Sequence, residues 1–110
     1  MIDGERLDRV LLQLGHDDFN RGTTYIREAV YAYEPGMSLT RQLYKDIADL
    51  HGCSVAAVER CMRHSIEKAW MRGSEQMREL YFGYSVDPCI GRPTIGEYVA
   101  RLSRLCRGGW

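Results

Sequence analysis

Apolar residues recur along this chain at spacings of three and four, the period of a helix that buries one face. Leu7, Val10, Leu11 and Leu14 predict a first helix over 5–14, which Gly15 can end. Residues 17–22 read as a turn into a second helix over 23–33, with Ile26, Ala29, Val30 and Tyr33 on one stripe. Pro35-Gly36 stops it, because proline lacks an amide and disfavours helix at the residue before it. Thr40 is the expected cap of a third helix carrying Leu43, Ile47, Ala48 and Leu50, and Gly52 ends it. Ser54 caps a longer fourth helix over 55–72, whose inward stripe is Val58, Met62, Ile66, Ala69 and Trp70. After the Gly73-Ser74 break, 75–81 predicts one more short helix. Residues 82–94, with Gly83, Pro88, Gly91 and Pro93, predict a loop. A last helix over 95–105 turns Tyr98, Val99, Leu102 and Leu105 inward, and the closing Arg-Gly-Gly-Trp is expected to fray. No stretch alternates with period two. The pattern predicts a single all-α domain of five to six helices spanning 1–110, without repeats, low-complexity tracts or a linker.

Within it, residues 44–70, YKDIADLHGCSVAAVERCMRHSIEKAW, pair a short helix with a longer one across a tight turn. Such a turn needs a small residue where the helices touch, and Ala48 stands there. It needs a residue free of steric limits on its backbone angles, and Gly52 supplies it. Ile47, Cys53, Val58 and Cys61 have the spacing to lock the two helices together. This is a helix-turn-helix pattern, except that His51 occupies a place where an apolar residue is more usual.

With the inward stripe fixed, the first two turns of the fourth helix expose Glu59, Arg60, Arg63 and Ala56. In this motif those turns enter the DNA major groove. Arginine can donate two parallel hydrogen bonds to guanine O6 and N7, and a carboxylate can accept from the cytosine amino group. Glu59 would repel phosphates, so its place among arginines fits base readout better than general attraction to DNA. The plainer alternative is that Glu59 and Arg63 form an ordinary i, i+4 ion pair on a solvated helix.

Charge sharpens this picture. The fifteen basic and fifteen acidic side chains cancel, which argues against a histone-like protein that coats DNA by bulk electrostatics. Their distribution is uneven. Residues 1–34 hold seven acids and four bases, 54–73 hold four bases and two acids, and 92–110 hold four bases and one acid. The cations therefore collect on the fourth helix and the C-terminal segment. Lys68, Arg101 and Arg104 are the candidate phosphate contacts on this distribution.

The segments GTTYIREAV (22–30), LYKDIADLHG (43–52), VERCMRHSIEKAWMRG (58–73), FGYSV (82–86) and RPTIGEYVARL (92–102) carry a resemblance in order and spacing. The chain resembles, from about Val10 to Leu105, the C-terminal effector domain of the stage-zero sporulation response regulators of the protein A family. The resemblance implies a helical domain that binds short DNA boxes, often as tandem copies, and that activates or represses transcription. It implies base contacts at Glu59, Arg60 and Arg63, with Ser54 and His64 near phosphates. It also implies that residues 73–86 lie in the region touching the RNA polymerase sigma subunit. Three features depart from the family. The chain has no room for the receiver domain, and Met1 favours a stand-alone protein over an excised domain. Ala56 and Ala57 stand where polar or basic residues are usual, which predicts weaker or more salt-tolerant binding. Residues 75–80 differ as well, which bears on the polymerase contact.

The remaining chemistry is sparse. Cys53, Cys61, Cys89 and Cys106 are scattered without a Cys-x-x-Cys pair, the N-terminus lacks a signal-peptide core, and no apolar run approaches the roughly 20 residues of a membrane span. These features predict free thiols acting as small buried hydrophobes in a cytoplasmic protein. Cys61 and His64 have a spacing that zinc can use, but no second pair completes four ligands, so no metal and no cofactor are expected. His16 and His51 read as capping or surface groups, Asp17-Asp18 as a solvated turn, and Tyr31, Tyr33, Tyr81 and Tyr84 as the edge of the core. No nucleophile, phosphate loop or buried acid suggests an enzyme. The rival to a DNA reader is a receiver-less interaction module that binds the full regulator or the sigma subunit without specific DNA binding.

Overall fold

The structure is a computed structural model that describes residues 1–83 and 91–107. Among these it holds six α-helices and no strand: α1 (Gly4–Gln13), α2 (Arg21–Ala32), α3 (Lys45–His51), α4 (Val55–Arg72), α5 (Glu75–Phe82) and α6 (Ile95–Cys106). Cys89, Tyr84 and the C-terminal residues 108–110 lie outside the described residues, as do most of the loop expected over 82–94 and the end of the segment 73–86.

Each helix starts where a short polar side chain satisfies its free amides. Asp3, Asn20, Ser54, Ser74 and Thr94 all accept from an amide two or three residues on, and Thr94 with Glu97 forms a reciprocal capping box. The third helix differs from expectation at its start. Ser38 rather than Thr40 is the cap, and the chain first makes a widened π-helical turn over Leu39–Tyr44 that runs on into α3. The Leu43 amide reaches back five residues to the Ser38 carbonyl at 3.3 Å.

The core draws on all six helices. Leu7, Leu11, Leu14, Ile26, Val30, Leu43, Ile47, Val58, Met62, Ile66, Phe82, Tyr98, Val99 and Leu102 are all essentially closed to solvent. Four expected core positions sit differently. Leu50 is 72% exposed, because the buried stripe of α3 runs through 43/44 and 47/48 towards His51 and passes it by. Leu105 and Tyr33 are only half-buried. Trp70 is also half-buried: its edge meets Phe82 and Tyr98, while its indole Nε1 donates to the Gly91 carbonyl at 2.6 Å.

His16 is the largest departure, since it is buried rather than at the surface. Its Nε2 pairs with the Tyr98 hydroxyl at 2.7 Å and its Nδ1 with Ser65 Oγ at 3.0 Å, and Thr23 Oγ1 lies 3.2 Å from the same serine. One neutral imidazole, donating from one nitrogen and accepting at the other, thus ties the α1–α2 connection to α2, α4 and α6. No buried side-chain nitrogen or oxygen among the described residues lacks a partner.

Burial, reinforced by the Arg27 charge, lowers the His16 pKa from 6.5 to about 4. The unfolded chain therefore binds a proton that the folded chain refuses between those values, so this group's contribution is complete above pH 6.5 and lost as pH falls towards 4. The expected loss is about 3 kcal/mol at pH 4, from 1.36 kcal/mol per unit. Urea unfolding across this range, alongside an NMR titration of the His16 ring, checks it. A ring that protonates with a midpoint near 6.5 would contradict the buried network.

Candidate nucleic-acid interface

The turn between α3 and α4 is built as its sequence suggests. Gly52 adopts φ +66°, ψ +37°, the left-handed region that glycine enters without steric cost, and the Cys53 amide donates to the Ala48 carbonyl at 3.0 Å. Ser54 is extended, and its Oγ accepts from the Ala57 amide at 3.1 Å, which starts α4.

α2 braces this turn from behind. The Tyr25 ring meets His51 edge-on at 4.9 Å, and its hydroxyl lies 3.7 Å from Cys53 Sγ. The His51 Nε2 sits 2.7 and 2.9 Å from the two Glu28 carboxylate oxygens. Glu28 and Tyr25 thereby give the unusual histidine of the motif its partners.

α4 buries Val58, Met62, Ser65, Ile66 and Ala69. Its opposite face exposes Ala56, Arg60, Arg63, His64 and Lys68. Glu59 stands at the edge of that face, with its Oε1 2.9 Å from Arg63 Nη1 and the two side chains 42% and 48% exposed. Beside Glu59, burial first and the carboxylate second push the Tyr44 phenol up to about 12, so it remains a neutral neighbour. Glu59, Arg60, Arg63, His64 and Lys68 therefore share one helix, with Ser54 immediately ahead of it.

Arg101 and Arg104 are not brought to this face. Arg101 is half-buried, and its Nε donates to the Tyr81 carbonyl at 2.7 Å, holding α6 to the end of α5. Arg104 lines a separate groove with Tyr33, Pro35, Glu97 and Arg107. That groove lies at the far end of α2 from Gly22, where α2 meets α4. The structure instead supplies two cations from distant parts of the sequence. Arg21, at the start of α2, shares a groove with His64 and Lys68, and Arg92, just before α6, pairs with Glu67 of α4 at 3.0 Å. Neither belongs to a periodic stripe, and only the tertiary packing brings them beside α4.

Cys61 and His64 gather no further metal ligand among the described residues. Cys106 is buried, whereas Cys53 and Cys61 are partly open. No helix among the described residues is long and apolar enough to cross a membrane.

Two helices meeting at a left-handed glycine turn, the second capped and turning a guanidinium-bearing face outward, define an all-helical protein of the helix-turn-helix class. The chain belongs to the family described as "Sporulation initiation factor Spo0A C terminal", whose family model matches residues 7–105. This is a family of DNA-binding sporulation effector domains rather than of catalysts, which makes the chain a DNA-binding transcription regulator in its general activity.

The cap that starts α4 is directly testable. Ser54→Ala should destabilise the fold by about 1 kcal/mol, read as a lower midpoint in urea unfolding at pH 7. No change in the midpoint would show that the Ala57 amide does not depend on the serine.

Proposed function

We propose that this chain binds specific double-stranded DNA sequences and reads the major groove with α4. The observation that carries the reading is the outward exposure of Arg60 and Arg63, with Glu59 at their edge, on the leading turns of a helix whose other face is committed to the core. Arg60 and Arg63 would donate to guanine edges, and Glu59 would accept from a cytosine amino group. Its pairing with Arg63 is a contact of exposed side chains and exchanges at small cost. Ser54, His64 and Lys68 would contact phosphates, which fix register without carrying sequence information. Residues 1–110 would act as one DNA-binding unit, and the family resemblance supports tandem occupation of DNA boxes. Ala56 on the leading turn offers no polar contact, which supports weaker binding than a basic residue there would give.

A second contact, with the RNA polymerase sigma subunit through 73–86, is supported by Leu80, a large apolar side chain left exposed on α5. It is compatible with DNA reading, because α5 follows the far end of α4 from Ser54.

Selection from a random duplex pool tests the main reading. The chain should enrich a defined box, and Arg60→Ala should weaken binding to that box by roughly 1–3 kcal/mol and relax preference at one position. Lys68→Ala should weaken enriched and scrambled duplexes alike. A pool from which no sequence is enriched would favour the interaction module instead.

A further inference from the structure

Glu67 lies on the same outward line of α4 as Ala56, Arg60 and Arg63, one turn beyond Arg63. In the groove-reading pose of α4, a bare carboxylate there would face the DNA backbone and repel it. The Arg92 guanidinium meets it, Nη2 to Oε1 at 3.0 Å, with the two side chains 51% and 33% exposed. As a stabilising element this pair carries little, since ion pairs this open contribute about 0–1 kcal/mol. Its placement has more consequence. Arg92 and Arg63 line the same open groove of about 510 Å³, between α4, the Leu39–Tyr44 turn and the lead-in to α6. The groove that holds Arg21 and Lys68 is lined by Glu67, so the ion pair has its arginine in one groove and its carboxylate in the other.

We propose that Arg92 is a DNA-phosphate contact, and that Glu67 is the positioning residue that holds it beside the recognition helix. The inference rests on α4 being the DNA-reading helix. A guanidinium carries five N–H donors in a planar fork. One edge can stay with Glu67 while the other donates to a phosphate oxygen, and the guanidinium charge offsets the carboxylate in between. Segment 91–94 would then supply one cationic flank of the interface. Arg92 lies outside α4, so this contact would add to those of His64 and Lys68 on the helix itself.

The test uses the full chain and a duplex that it has enriched from a random pool, with fluorescence anisotropy over a series of NaCl concentrations. Arg92→Ala should lower affinity on the order of three- to tenfold at low salt, for enriched and scrambled duplexes alike, and make the log–log salt slope shallower by about 0.9. Arg92→Lys should restore most of the slope. Adding Glu67→Gln to Arg92→Ala should recover part of the affinity, because it removes the exposed carboxylate. A folded Arg92→Ala variant, by circular dichroism, with unchanged affinity and slope would overturn the proposal while leaving the reading of α4 intact. A loss confined to the enriched duplex would overturn it as well, by making Arg92 a base contact. Failure of the unmodified chain to enrich any duplex would instead remove the reading on which the proposal stands.

Discussion

The geometry of this molecule depends on the contact of α2 with α4 at Gly22. A Cβ at that position would stand 2.2 Å from the Cys61 carbonyl oxygen and 2.7 Å from the Ser65 Cβ, so only a hydrogen fits between the two backbones. That approach decides what the next turns of α2 can reach. Tyr25 and Glu28 arrive at His51 and Cys53, and the turn between α3 and α4 is held from behind. Thr23 arrives at Ser65, next to His16 and Tyr98. With one face of α4 fixed against α2 and the core, the opposite face is left to solvent. The exposure of Arg60 and Arg63 is therefore a consequence of packing elsewhere.

A neutral chain can still present a cationic surface, because the sum of charges says little about their placement. Around α4 two arginines lie against carboxylates: Arg63 against Glu59, and Arg92 against Glu67. Both pairs are partly solvated, so both exchange at small cost. On the proposed reading the two carboxylates do different work. Glu59 stands at the leading end, where a cytosine amino group would satisfy it. Glu67 stands further along, where only an attached guanidinium makes it tolerable near phosphate.

Much of the fold was legible because it follows local rules. Apolar spacing located the helices, and small polar residues or glycine marked most of their ends. The outward set on α4 followed directly from its inward stripe. What was not legible depended on contacts between distant segments. His16 looks like a surface group in a turn, and nothing local reveals that Thr23, Ser65 and Tyr98 would surround it. Leu50 is apolar and near the right spacing, yet it falls beside the stripe that α2 and α4 cover. Arg101 and Arg104 shared a basic segment with Arg92, but the helix that begins at Ile95 carries them towards Tyr33 and Tyr81 while Arg92 remains at α4. Composition could register that cluster of charge without showing which member would meet the recognition helix.

The central claim is that the guanidinium groups of α4 meet base edges in the major groove. Methylation interference on an enriched duplex tests this most directly, because dimethyl sulfate modifies guanine N7 in the major groove and adenine N3 in the minor groove. The account predicts that methylated guanines within the box exclude the chain while methylated adenines do not. Binding that tolerates every guanine methylation, or that is lost only on adenine modification, would contradict it.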